Sequence, residues 1–313
     1  ARLEDPERQT TVALRQAEYA FNMGDYPAAM DYARQAGELA GRTGNAHADA
    51  ESALMQSAVY LRSGNFEQAS QLAGHALQVA QEHGWTAVEA RTLRAMGLSA
   101  YYAGNPGQAR TFFAEALQRY IELGDRQGES MAINNLGGAS FNLGEYAAAQ
   151  EYYTRSLLLS REIGDRLGEG RASNNLGIVS VAMGQYARAE AYYLDGLRIC
   201  REIGHRSFEV SSLDNLGNLA LYRYQFSRAQ DYHSRSLQTA REIGDRMVER
   251  FAIVNSGHGR LLVGDYEGAY AFFQESLALN IGFNDPQGKA HSLFNLCTYF
   301  IELGDIEEAA RHG

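Results

Sequence analysis

Lysine is nearly missing from this chain: Lys289 stands alone among 28 basic residues, and the rest are arginines. Cysteine is almost as scarce. Cys200 and Cys297 lie far apart, so no disulfide framework is implied and no paired Cys/His spacing suggests zinc. Four prolines in 313 residues leave helices largely uninterrupted. No apolar run approaches the roughly 18–20 residues that span a bilayer, and no signal sequence is visible. Positive charge is short overall, with 28 Lys+Arg against 38 Asp+Glu and a net charge of −10. That balance excludes a general nucleic-acid binder, because phosphate contacts need a basic face. The remainder is 45% hydrophobic and 21% charged, which is the composition of a folded chain. We therefore expect a cytoplasmic protein with no membrane and no nucleic-acid partner. The first residue, Ala1, fits a piece excised from something longer.

What the chain does have is a period of 40 residues. Gly24, Gly64, Gly104, Gly144, Gly184, Gly264 and Gly304 mark it, and only Tyr224 interrupts the series. Alanine keeps the period without a gap, from Ala29 and Ala69 through Ala269 and Ala309. A third column is mostly aromatic (Tyr26, Phe66, Tyr146, Tyr186, Phe226, Tyr266), and a fourth holds Tyr32, Phe112, Tyr152, Tyr192, Tyr232 and Phe272. These columns predict a single solenoid over 1–313, with repeats at about 5–44, 45–84, 85–124, 125–164, 165–204, 205–244, 245–284 and a truncated 285–313.

Each unit reads as two helices. In the fourth, Asp125 is placed to cap a helix N-terminus, since its carboxylate accepts free first-turn amides. Residues 126–143 then carry Ile133, Leu136, Ala139 and Leu143 at helical spacing. Gly144 suits the left-handed residue after a helix. A second helix over 146–163 is expected to bury Tyr146, Ala149, Tyr153 and Leu157, and Asp165 caps the next. Asp5–Pro6 and Asp285–Pro286 repeat the signal with proline at the first helical position. Gly97, Gly137, Gly177, Gly217 and Gly257 form a small-residue column on the first helices, expected to face the alanine column so that the axes approach closely. The large aromatics are expected between neighbouring pairs. No pair buries its apolar face alone, so stacking is obligatory.

On these residues the chain resembles the tetratricopeptide repeat family: Leu136–Gly137, Gly144-Glu145-Tyr146, Ala149, Tyr153 and Ser156 carry the likeness in the fourth unit. The unit is 40 residues rather than the commoner 34, and Arg161, Arg201 and Arg241 stand where the shorter repeat has proline. This long variety looks like the repeats of spindle-orientation adaptors and bacterial signalling proteins. The likeness is strongest in units three to seven. It implies an all-α fold, a right-handed superhelical solenoid of eight helical hairpins, with the first helices lining a concave face.

No catalytic motif accompanies the repeats. There is no phosphate-binding loop with its lysine, no His-Glu-x-x-His and no Gly-x-Ser-x-Gly. We expect no enzyme, no cofactor and no metal; His258 and His291 lack further ligands. Cysteines are read as buried structural residues, and the acids as mostly on solvated outer faces or at caps. The sharper signal is a ladder of asparagines, Asn135, Asn175, Asn215, Asn255 and Asn295, with Asn134 and Asn174 beside two of them. Asn is a mediocre helix former, so five at one register need a reason. One reason is an amide that bonds to the neighbouring repeat and fixes the stacking. The other is peptide binding, since an amide offers a donor and an acceptor to one peptide unit. The family resemblance implies the second, with an asparagine of this column on bound peptide backbone.

Neighbouring columns add Arg62, Arg91, Arg94 and Arg171 against Glu51, with Tyr101, Tyr102 and Phe141. Toward the C-terminus they add Tyr222, Phe251, Val254, His258, Leu262 and Phe294, with Asp214 and Asn218. A basic stretch grading into an apolar one predicts a protein or peptide partner with an extended, partly acidic segment. The competing reading pairs Arg91, Arg94 and Arg171 with acids on adjacent helices. The function expected is a non-catalytic interaction scaffold or sensor module. Alternatives are the regulatory arm of a larger signalling protein, a spacer or oligomerisation arm, or a small-molecule site. Phe294, Leu296, Tyr299 and Phe300 on the last first helix have only a short second helix over them, which predicts self-association through that end.

Overall fold

A computed structural model of the protein describes residues 5–244, 246–282 and 286–312. Sixteen helices lie among them, and no strand. They are α1 (Pro6–Asn22), α2 (Tyr26–Thr43), α3 (Ala46–Arg62), α4 (Phe66–His83), α5 (Thr86–Tyr102), α6 (Pro106–Leu123), α7 (Arg126–Asn142) and α8 (Tyr146–Ile163). Then follow α9 (Arg166–Ala182), α10 (Tyr186–Glu202), α11 (Arg206–Tyr222), α12 (Phe226–Ile243), α13 (Arg246–Leu262), α14 (Tyr266–Gly282), α15 (Pro286–Glu302) and α16 (Ile306–His312). Every odd helix opens 40 residues after the previous odd one, and the even helices keep the same interval. They pack as two compact units, Ala1–Gly168 and Glu169–Gly313.

Local chemistry sets the helix ends. The Asp125 carboxylate accepts from the Gly128 amide at 2.9 Å, and Asp165 and Asp265 do the same for Gly168 and Gly268 at 2.9 and 3.0 Å. The Asp285 cap expected from the sequence lies outside the described residues. The corners between paired helices need a positive φ, which glycine adopts without a Cβ clash. Tyr224 takes the same corner at φ 56°, the one non-glycine there. A left-handed residue with a side chain is strained by about 1–2 kcal/mol, and the Tyr224 ring is largely exposed. Tyr224→Gly is therefore expected to raise stability by about 0.5–1 kcal/mol, after the entropy glycine gives back to the unfolded chain. A lower thermal midpoint for the variant would contradict this.

Within each hairpin the glycine column receives an aromatic ring. A Cβ added at Gly97, Gly137, Gly177 or Gly257 would lie within 2.7 Å of Phe113, Tyr153, Tyr193 or Phe273 respectively, each on the second helix of the same hairpin. The aromatics so buried fill the inside of each pair, whereas Phe112 and Tyr152 of the neighbouring column pack against the cluster that joins α5 and α6 to α7. The alanine column is fully buried beside them. In the second hairpin the column holds Ser57, whose hydroxyl donates to the Ala69 carbonyl at 2.7 Å, and alanine (Ala73) takes the place of the ring.

Two expectations about burial are corrected, and a third is refined. Tyr146 is 39% and Leu143 38% exposed, because α7 ends at Asn142 and both residues sit at the corner. At the last hairpin, Leu296 and Tyr299 are buried and join Ala269 and Phe273 in one cluster. Their side chains turn back onto α14, and Phe300 stacks on His312, so only Phe294 of the four is largely bare. The acids are not all outside: Glu89, Glu129, Glu169 and Glu209 form a buried column on the first helices. In the first unit Glu89 meets Arg119 at 3.0 Å, and Glu129 meets Arg126 at 2.8 Å and Arg155 at 3.2 Å. In the second, Glu209 meets Arg201 at 2.8 Å and Arg206 at 3.0 Å. Arg201 stands where the shorter repeat has proline. Its charge reaches across the loop to the next hairpin, so an ion pair replaces a helix stop.

Candidate ligand-binding face of the first helices

The five ladder asparagines occupy one register of α7, α9, α11, α13 and α15, and each is half-buried. Their partners differ. In the second unit the Asn215 amide donates to Asn174 Oδ1 at 3.0 Å, which ties α11 to α9. Asn295 bonds the His258 imidazole of the preceding first helix. Asn134 and Asn175 are also engaged. Asn135 and Asn255 make no such bond among the described residues. The Asn174–Asn175 doublet was a readable hint: the ladder residue reaches not its equivalent 40 back but the residue before it.

The arginines divide in the same way. Arg91 is held by Glu51 of the previous first helix at 2.5 Å. Arg171 is exposed and engaged. Arg62 donates from Nε to the Tyr26 hydroxyl at 3.0 Å. Arg94 is half-buried on α5, and its Nε is buried with no hydrogen-bond partner. A buried guanidinium N–H left open is a costly feature that an acceptor would relieve.

Aromatic and apolar side chains stand in the open on these helices. In the first unit Tyr102 stacks on Phe66 with ring centres 6.1 Å apart, and Tyr101 meets it edge-on. Burial pushes the Tyr101 hydroxyl's pKa up, with Tyr102 adding to it and an Asn142 hydrogen bond opposing. In the second unit Tyr222 stacks on Tyr186, and Phe251, Leu262 and Phe294 are each more than half exposed. The His258 ring meets Phe273 at 5.2 Å. Withdrawal from water pushes its pKa below the ordinary histidine value, and the Asn295 bond works the other way. Burial also pushes the Cys200 thiol up to about 11, which makes it an inert core residue. Among the described residues no group of three or more His, Cys, Asp and Glu is placed to hold a metal, and no helix is long and apolar enough to cross a membrane.

A family model for the tetratricopeptide repeat matches residues 128–202 and 172–242. The repeats of that stretch match the tetratricopeptide repeat. No curated protein matches the sequence. Among solved structures the chain is similar to the apo quorum sensor NprR from B. thuringiensis, with TM-score 0.69 and 15% identity over 97% of this chain and 85% of that one. It is similar to the Rap conjugation gene regulator of plasmid pLS20 in complex with the Phr* peptide, with TM-score 0.67 and 17% identity over 86% and 73%. It is also similar to BtubC from P. vanneervenii, with TM-score 0.59 and 21% identity over 70% and 92%. At these identities the likeness is one of fold. In a tetratricopeptide array, function lies in side chains that the repeat itself does not use.

Proposed function

We propose that this chain is a non-catalytic protein-interaction module that holds an extended segment of another protein against its first helices. The observation that carries this is the exposed apolar set Tyr222, Phe251, Leu262 and Phe294 on the first helices of the second unit, the helices that also carry ladder asparagines. Large exposed apolar side chains rimmed by polar groups mark interaction sites. An open amide such as Asn255 supplies the donor and acceptor that one peptide unit requires. In the first unit, Asn135 and Tyr102 offer the same pairing, and Arg94 adds a charge for an acidic residue of the segment. Arg91 and Arg171 serve the same end only by exchanging the partners they already have. The pLS20 Rap regulator, of similar fold, is a complex with a peptide, which supports a peptide as the class of ligand.

The test is capture of a partner by the chain, mapping of the retained segment, and titration of that peptide by fluorescence anisotropy. Asn255→Ala and Asn135→Ala are each expected to weaken binding about 5–10-fold, the worth of one or two hydrogen bonds. Arg94→Ala is expected to weaken it similarly and to flatten its dependence on salt, since the charge attraction is screened over about 8–10 Å. Asn215→Ala is the control: it loses the bond to Asn174, so it lowers the thermal midpoint more than the affinity. Unchanged affinity in both Asn255→Ala and Arg94→Ala would overturn the proposal.

A further inference from the structure

We propose that the edge formed by the four hairpin corners of the second unit is a docking surface for a second copy of this chain, which lies antiparallel against it about a two-fold axis. The corners join α9 to α10, α11 to α12, α13 to α14 and α15 to α16. Side-chain contacts link each to the next. Tyr186 at the first stacks on Tyr222 at the second, with ring centres 6.5 Å apart. Phe226 at the second and Val263 at the third line one depression. Behind the third and fourth, Phe273 packs with Leu296 and Tyr299.

This edge is apolar and open. One column of the repeat places Tyr186, Phe226, Tyr266 and Ile306 on it, all exposed, and exposed Val263 and Leu303 stand beside the last two. Tyr224 is the sharpest case. The other corners of this kind have glycine at positive φ, and glycine carries no strain there. The Tyr224 ring is 81% exposed and meets the Phe226 ring edge-on at 6.4 Å, so little within the chain offsets its strain. A run of exposed apolar side chains marks an interaction surface, and Tyr, Phe and Arg are the residues enriched in such surfaces.

Charge names the occupant. Residues 183–188 and 222–228 carry Arg188, Arg223 and Arg228 and no acid. Residues 262–268 and 302–308 carry Asp265, Glu267, Glu302, Asp305, Glu307 and Glu308 and no base. Pairing within the chain leaves both signs in surplus. Glu190 accepts from both Arg223 and Arg228, while Arg188 bonds the neutral Gln185 at 2.9 Å. On the other half, Arg260 pairs with Asp265, and Arg311 with Glu307 and Glu308. So one half of the edge is basic and aromatic, and the other acidic and largely aliphatic. A copy turned about a two-fold axis between the second and third corners sets its acidic half on this basic half, and its basic half on this acidic half. Each contact is then made twice, as in an isologous interface. A parallel arrangement sets like charges together and is disfavoured. Elsewhere two chains of net charge −10 repel, which confines the approach to this edge. The inference does not depend on the peptide proposal, which concerns the first helices; none of the residues varied below belongs to that set.

The experiment is sedimentation velocity of the chain at rising concentration. The wild type is expected to pass from monomer to dimer between about 1 and 200 μM, and to stop there because a two-fold contact closes on itself. Two charge-reversed variants supply the test, Arg188→Glu with Arg228→Glu, and Glu267→Arg with Glu307→Arg. Circular dichroism checks that each stays helical. Each alone is expected to remain monomeric. Mixed in equal amounts, they are expected to form a heterodimer, since every basic half again meets an acidic one. Tyr224→Gly is expected to weaken the dimer about 10-fold or more while its thermal midpoint, measured where the chain is monomeric, does not fall. A wild type still monomeric at about 200 μM would assign the edge to another partner and overturn the proposal. So would a dimer that survives in either charge-reversed variant, or a mixture of the two that fails to associate.

Discussion

Gly177→Ser is expected to destabilise the second unit by about 2–3 kcal/mol, and to cost almost nothing once Tyr193 is also replaced by alanine. A Cβ at 177 would stand 2.4 Å from Tyr193 Cε1 and 2.5 Å from Cδ1, well inside contact distance. The ring is buried and cannot swing aside. Tyr193→Ala alone removes a large buried side chain and is expected to cost about 3–4 kcal/mol. The double variant rebuilds the pairing that the second hairpin already uses, Ser57 with Ala73, in which the hydroxyl bonds the alanine-column carbonyl. Its stability should match that of Tyr193→Ala alone, a coupling of about 2 kcal/mol. Chemical denaturation of the four proteins supplies the cycle. If the two costs simply add, ring and notch are not packed as one unit.

Removing Arg201 and Arg206 together is expected to destabilise the chain by about 3 kcal/mol, more than removing the carboxylate they share. Glu209 is 5% exposed, whereas the two arginine side chains are 44% and 47% exposed. Taking away the arginines strands a buried charge with no partner. Glu209→Gln leaves the arginines in water and keeps a hydrogen-bonding group, so its cost is about 1 kcal/mol. Arg206 also pairs with Glu242 of the same hairpin, so its loss loosens two contacts. Equal costs for the double arginine variant and Glu209→Gln would show that Glu209 is solvated in the folded state.

The candidate binding residues were visible in the sequence as columns, but their present partners were not. Periodicity placed Asn215 and Asn255 at one register. It did not say that Asn215 is bonded to Asn174 while Asn255 is open. Composition and spacing drew Arg91 and Arg94 together as neighbours on α5. Only geometry separates them, since Arg91 lies over Glu51 and Arg94 Nε is buried without a partner. The corner charges carried a signal that went unread: Arg188, Arg228 and Glu308 share one column, and only the packing of successive hairpins sets them on one edge.

The sequence by itself determined the repeat, the alternation of two helices, the caps and the glycine corners. These follow from interactions within a few residues, such as Asp125 with the Gly128 amide or the positive φ at Gly144, and the 40-residue period writes them out again and again. The tertiary structure decided which polar side chains turn inward and which ring enters which notch. The reason is that Glu209 with Arg201, Gly177 with Tyr193, and Gly217 with His233 are each satisfied or left open by a side chain on another helix. Facing pairs of that kind are fixed by how the helices pack, not by the spacing of residues along any one of them.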